Sequence, residues 1–83
     1  MRNHEEAIQK LKKAVVDMIT DNGWKEIEPT DEYRSFTKEA SIQIDISDDE
    51  VVLIGDSGDF AHIRLDGLAK YTVLGLLHWN GLI

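Results

Sequence analysis

Three isoleucines alternate with polar residues in the segment 41–47, and this two-residue period constrains the fold more than any other feature. Successive side chains of a β-strand point to opposite faces of a sheet, so these isoleucines would share one buried face: Ile42, Ile44 and Ile46. The segment 51–54 is β-branched and aliphatic throughout, as in a strand covered on both faces. Acidic and glycine-rich segments at 48–50 and 55–59 supply turn residues. The centre of the chain therefore predicts antiparallel strands joined by short turns.

The rest of the sequence extends this pattern to an α+β fold. Helical periodicity and strand composition predict helices over residues 4–22 and 67–80 and strands over 33–37, 41–47, 51–54 and 60–65. Residues 33–47 fit either one long strand or two, so the antiparallel meander would have three or four strands. We expect a single domain over residues 1–83, with both helices on one sheet face and an acidic, solvent-exposed opposite face.

Asparagine–glycine pairs predict where both helices end. Gly23 would take the left-handed conformation after the first helix, with Trp24 folding back onto the last turn. A hairpin turn is the competing interpretation of this pair. The segment 80–82 repeats the same signal after the second helix, for which Asp66 is the predicted N-cap.

The second predicted helix is apolar in nearly every direction around its axis. Such a helix is either enclosed by its own domain or covered by a partner. A chain of 83 residues buries only roughly 60–65% of its unfolded surface, which favours a partner. We therefore expect an apolar interface formed by Tyr71, Leu76, Trp79 and Leu82. Trp24 and Phe60 are expected in the core, whereas Trp79 fits the core or the interface.

Acidic residues outnumber basic ones and are unevenly distributed. The chain has 16 acidic and 9 basic side chains, a net charge of −7, and residues 26–66 hold twelve of the acids with three bases. Such a surface disfavours direct nucleic-acid binding, which needs lysine and arginine at the phosphates. It would attract a basic protein surface, or it serves solubility alone. The predicted acidic face comprises Asp45, Asp48, Asp49, Glu50, Asp56 and Asp59.

The sequence contains no recognisable catalytic, metal-binding or cofactor-binding motif. It has no cysteine, no glycine-rich phosphate loop, and no pair of histidines at the spacing of a metal site among His4, His62 and His78. Segment 56–59 lacks the spacing of a calcium loop and predicts a tight hairpin turn. We therefore predict no catalytic residue, metal ligand or cofactor. An enzyme or enzyme subunit is the third hypothesis and would need a pocket in which carboxylates converge on His62.

These observations predict a cytoplasmic protein without a membrane partner, because no apolar run reaches the ~18–20 residues that span a bilayer. The leading functional hypothesis is a small acidic, non-enzymatic protein–protein interaction domain that binds another protein or a second copy of itself through the apolar C-terminal helix. The alternative is an acidic inhibitor, of the kind carried by phages and mobile elements. Such a protein would imitate the charge of nucleic acid and block a basic DNA- or RNA-handling protein.

Overall fold

The computed structural model describes residues 2–30, 32–38 and 42–83. Over these residues the chain forms, in order, α1 (Arg2–Asp21), β1 (Lys25–Glu26), β2 (Arg34–Thr37), β3 (Gln43–Ile46), β4 (Glu50–Gly55), β5 (Gly58–Arg64) and α2 (Ala69–Trp79). This order confirms the predicted α+β arrangement of a β-meander between two helices. Within the described residues, neither helix combines the length and the apolar composition that crossing a membrane needs.

The strands form one antiparallel sheet in the order β1-β2-β3-β4-β5. Residues 33–47 form two strands, because β2 pairs with β3 and places Ser35 opposite Asp45. The joining residues 39–41 lie outside the described part of the chain. The two-residue strand β1 pairs with β2 and adds a fifth strand to the three or four predicted. A bidentate contact of Arg34 with Glu26, at 2.7 and 2.8 Å, holds β1 in place and keeps the pKa of Glu26 below its usual value.

Apolar side chains align in two rows across the inner face of the sheet. The pairing register places Phe36, Ile44 and Leu53 in one row and Ile46, Val51 and Ile63 in the next. All six are buried, whereas Gln43 and Asp45 between them are only half-buried. The alternation of β3 is therefore confirmed, and it fixes which sheet face carries the core.

Both helices contribute to the same core as the inner sheet face. The buried side chains are Val15, Met18 and Ile19 from α1, with Ala69, Val73 and Leu77 from α2. α2 contacts both α1 and β5, so the helix-to-sheet contact is clearest at this edge of the sheet. Lys12 of α1 also reaches the β3–β4 turn, where its Nζ lies 2.8 Å from an Asp48 carboxylate oxygen.

The glycine signals at both helix ends are confirmed. Gly23 has φ of 94°, and the N–H of Trp24 donates to the carbonyl of Ile19 at 3.0 Å. Gly81 has φ of 71°, and the N–H of Leu82 donates to the carbonyl of Leu77 at 2.8 Å. Both helices thus close with the same left-handed glycine and the same return of an apolar residue. Trp24 is buried as predicted.

The predicted N-cap of α2 is wrong. The helix begins at Ala69, and its N-cap position is occupied by Leu68 without a side-chain cap. The Asp66 carboxylate instead accepts a hydrogen bond from the Leu68 N–H at 2.8 Å, in a turn that precedes the helix. The short aspartate side chain satisfies this turn before the helical backbone starts.

Two predictions about burial on β4 and β5 are also wrong. Val52 and Ile54 are half-buried, because they lie on the sheet face opposite the buried rows. Phe60 is 44% exposed. A bulge between Leu53 and Ile54 leaves Phe60 as an extra residue of β5, where its ring lies beside Gly55.

Two neighbouring valines of β4 test whether the sheet is covered on one face only. Val51→Ala removes methyl groups from a fully buried site and should lower the free energy of unfolding by roughly 1.5–3 kcal/mol. Val52→Ala makes the same change on the outer face and should cost less than about 1 kcal/mol. Urea unfolding of both variants measures the difference. Equal losses would mean that the outer face is covered as well.

Candidate protein-interaction surface

The C-terminal helix α2 presents one side to the core and the opposite side to solvent. Its buried residues recur every fourth position: Ala69, Val73 and Leu77. At about 100° per residue, five residues lie within about 60° of the direction opposite the core, and one of them is the exposed polar residue His78. We call the other four the outer stripe: Leu68, Tyr71, Gly75 and Trp79.

The outer stripe exposes large apolar side chains along about 16 Å of helix. Leu68 is 67% exposed, Tyr71 64% and Trp79 87%. Between them, a Cβ atom built on Gly75 would meet no atom of the described residues within 4 Å. Several large apolar side chains exposed on one side of a helix are typical of sites that bind another molecule.

The predicted apolar interface is only partly the surface that α2 exposes. Tyr71 and Trp79 are exposed, whereas Leu76 and Leu82 are half-buried and pack against the core. Lys38 also holds the segment after α2, because its Nζ donates to the Leu82 carbonyl at 3.0 Å. Leu68 and Gly75 were not predicted. Both residues could be identified as exposed only after the buried side of the helix was known, because the sequence alone does not show which side meets the core.

Charge around the outer stripe differs from charge elsewhere on the chain. All 16 acidic residues precede Gly67, and Lys70 is the only lysine or arginine after it. The Lys70 ammonium lies 5.8 Å from the centre of the Tyr71 ring, within the range of a cation–π contact. α2 itself therefore carries no carboxylate, and the polar residues Lys70 and His78 border the outer stripe.

The predicted acidic residues are spread over the sheet and its turns. Asp48 and Asp49 lie in the β3–β4 turn, and Asp56 lies in the β4–β5 turn. The six residues of β4 separate these turns by roughly 20 Å. The pairing register places the three remaining acids on the outer sheet face: Asp45, Glu50 and Asp59. The six residues thus do not form one compact patch.

Several of these acids already have partners within the chain. Asp48 accepts a hydrogen bond from the Lys12 ammonium, which lowers the pKa of the Asp48 carboxyl below its usual value. Asp45 accepts from the Gln43 amide at 2.8 Å, and Asp49 accepts from the Ser47 hydroxyl at 2.9 Å. Of these contacts, only the ion pair with Lys12 offsets negative charge, and the two neutral donors hold the side chains of Asp45 and Asp49 in place.

An open groove of about 960 Å³ lies between the start of α1 and the β3–β4 turn. It is lined by Glu5, Glu6, Ile8, Gln9, Lys10, Asp48 and Asp49. All of these except Ile8 are exposed to solvent, so the carboxylates lack the burial that would suit them to proton transfer.

The histidine on the sheet lies between two carboxylates on the outer face. His62 Nδ1 is 3.3 Å from a Glu50 oxygen, and Nε2 is 3.3 Å from an Asp59 oxygen. The side chain of His62 is about half exposed. Across the described part of the chain, no three histidine, aspartate or glutamate side chains are arranged to hold a metal ion. Segment 56–59 forms the predicted hairpin turn, with Gly58 at φ of 109°.

The sequence matches no protein-family model, and comparisons with curated proteins and with solved structures gave no significant match.

The two tryptophans test the exposure of the outer stripe, because one is buried and the other is not. At low protein concentration, acrylamide should quench part of the wild-type tryptophan emission efficiently. In Trp79→Phe, only the buried Trp24 remains, so emission should shift to shorter wavelength and quenching should fall several-fold. Unchanged quenching in Trp79→Phe would contradict the exposure of Trp79.

Proposed function

We propose that this protein is a small, non-enzymatic interaction domain that binds a protein chain through the outer stripe of α2. The main observation in support of this proposal is the exposure of Trp79. This residue is 87% accessible to solvent, although the opposite side of the same helix is buried in the core. Tyr71 and Leu68 extend the same surface.

The energetics of burial favour this surface over the others. Covering a large apolar side chain contributes roughly 1.5–3 kcal/mol, and the outer stripe exposes three such side chains on one side of the helix. Tryptophan and tyrosine are also the residues that most often dominate the binding energy of protein interfaces. Among the described residues, the large apolar side chains exposed outside the outer stripe are less accessible, with Phe60 the most exposed of them at 44%.

The acidic alternative has weaker support. An inhibitor that imitates nucleic acid needs carboxylates in a continuous array facing one basic partner. Here Asp48 and Asp56 lie at opposite ends of β4, and Lys12 already pairs with Asp48. The groove beside α1 gathers four carboxylates, so the experiment on this alternative uses Asp49, which lies in that groove.

Site-specific photo-crosslinking tests the proposal in the cells that produce the protein. The photoreactive residue p-benzoylphenylalanine replaces Trp79 in one variant, Asp49 in the second and Glu28 in the third. Glu28 is the control, because it lies in an exposed loop outside both candidate surfaces. We expect a discrete protein adduct from position 79, at a yield at least fivefold above that from Glu28. Adding Leu68→Glu to the position-79 variant should abolish the adduct, because a carboxylate would then have to be buried in the interface.

No adduct at position 79, or equal yields from positions 79 and 28, would contradict the proposal. An adduct from Asp49 alone that disappears when salt is raised before irradiation would instead support the acidic alternative.

A further inference from the structure

We infer that the occupant of the outer stripe is a second copy of this chain, with the two α2 helices crossing antiparallel at Gly75. This inference rests on the proposed function and names the partner. It follows from one glycine, the order of the residues around it, and the distribution of charge.

No contact within the described part of the chain requires a glycine at position 75. Its backbone is helical, a conformation that any residue adopts, and glycine is less favourable than alanine inside a helix. No atom of the described residues lies within 4 Å of its Cβ position, so packing within the chain does not require a small residue. A close approach from outside does require one, because helix axes come closest where small side chains meet.

The residues around Gly75 complement themselves under two-fold symmetry. In an antiparallel pair crossing at this glycine, positions equally far before and after it meet across the axis. Tyr71 lies four residues before Gly75 and Trp79 lies four residues after it. Trp79 of each copy would therefore meet Tyr71 of the other, so that the aromatic pair forms twice. Leu68 extends the apolar contact at each end.

The charge distribution allows two copies of an acidic protein to approach on this side. Each chain carries a net charge of −7, and the residues from Gly67 to Ile83 contain no aspartate or glutamate. The helices would meet without opposing carboxylates, while the acids elsewhere repel one another weakly through solvent. Added salt should therefore leave this association unchanged or strengthen it slightly. A partner held by the acidic residues would instead be released by salt.

The exposed area limits the affinity. Tryptophan and tyrosine each bury roughly 150–250 Å² in an interface. With Leu68 and the flanking atoms, a symmetric pair would bury on the order of 1,000 Å² in total, which is the lower limit for a specific interface. We therefore expect a reversible dimer with Kd in the micromolar range rather than a permanent one.

Sedimentation velocity of the purified chain from about 2 to 500 µM tests the inference. The wild-type mass should rise from 9.4 kDa towards twice that value across this range. Trp79→Ser should stay monomeric. Gly75→Gln should raise Kd at least tenfold, because its side chain fills the crossing point. Gly75→Ala, the matched control, adds one methyl group and should weaken association less. At a protein concentration well below Kd, where the wild type is also monomeric, both Gly75 variants should unfold at the wild-type temperature or above, since alanine and glutamine are better helix formers than glycine.

The measurements test three features separately: the identity of the partner, the crossing point and the contact surface. A wild type that remains at 9.4 kDa throughout overturns the second copy as partner, and a crosslink from position 79 to a different protein would still support the proposed function. If Trp79→Ser abolishes dimerisation but Gly75→Gln leaves Kd unchanged, the helices do not cross at Gly75. A dimer unaffected by Trp79→Ser, or one that dissociates steeply between 50 and 500 mM NaCl, overturns the outer stripe as the contact surface.

Discussion

The burial of apolar rows on one face of the sheet is the interaction on which the rest of the structure depends. Ile44, Leu53 and Val51 direct their side chains to the same side, and apolar residues of both helices join them in one buried cluster. The sheet needs no cover on its other face, where polar and half-buried residues alternate with the core positions. Because Val73 and Leu77 of α2 are buried in this core, the residues on the opposite side of the helix face solvent.

This geometry gives a physical reason for the apolar composition of α2. A small core requires only a narrow side of the helix, so apolar residues on the other side contribute nothing to folding. Exposed Leu68, Tyr71 and Trp79 gain stability only when another surface covers them. An association through these residues would complete the burial that the chain begins. The acidic residues, which lie before this helix in the sequence, would remain in solvent and keep the rest of the surface soluble.

Much of the fold could be predicted because the decisive signals are local. The alternation around Ile44 identifies the buried face of β3, and Gly23 and Gly81 mark both helix ends through backbone conformation alone. Features that depend on distant residues could not be predicted. The bulge at Phe60 arises from strand pairing, and β1 exists only because two residues pair with β2. The exposed side of α2 was half predicted for the same reason. An all-round apolar helix does not indicate which side meets the core, so half-buried residues such as Leu76 and Leu82 were included alongside Tyr71 and Trp79.

The most direct test of the central claim is an isotope-filtered nuclear Overhauser experiment on an equal mixture of isotope-labelled and unlabelled protein at millimolar concentration. The account predicts contacts between the Trp79 indole of one copy and the Tyr71 ring of the other, together with chemical-shift changes along the outer stripe that disappear on dilution. Chemical shifts of α2 that stay constant from tens of micromolar to millimolar, with no contacts between copies, would contradict it.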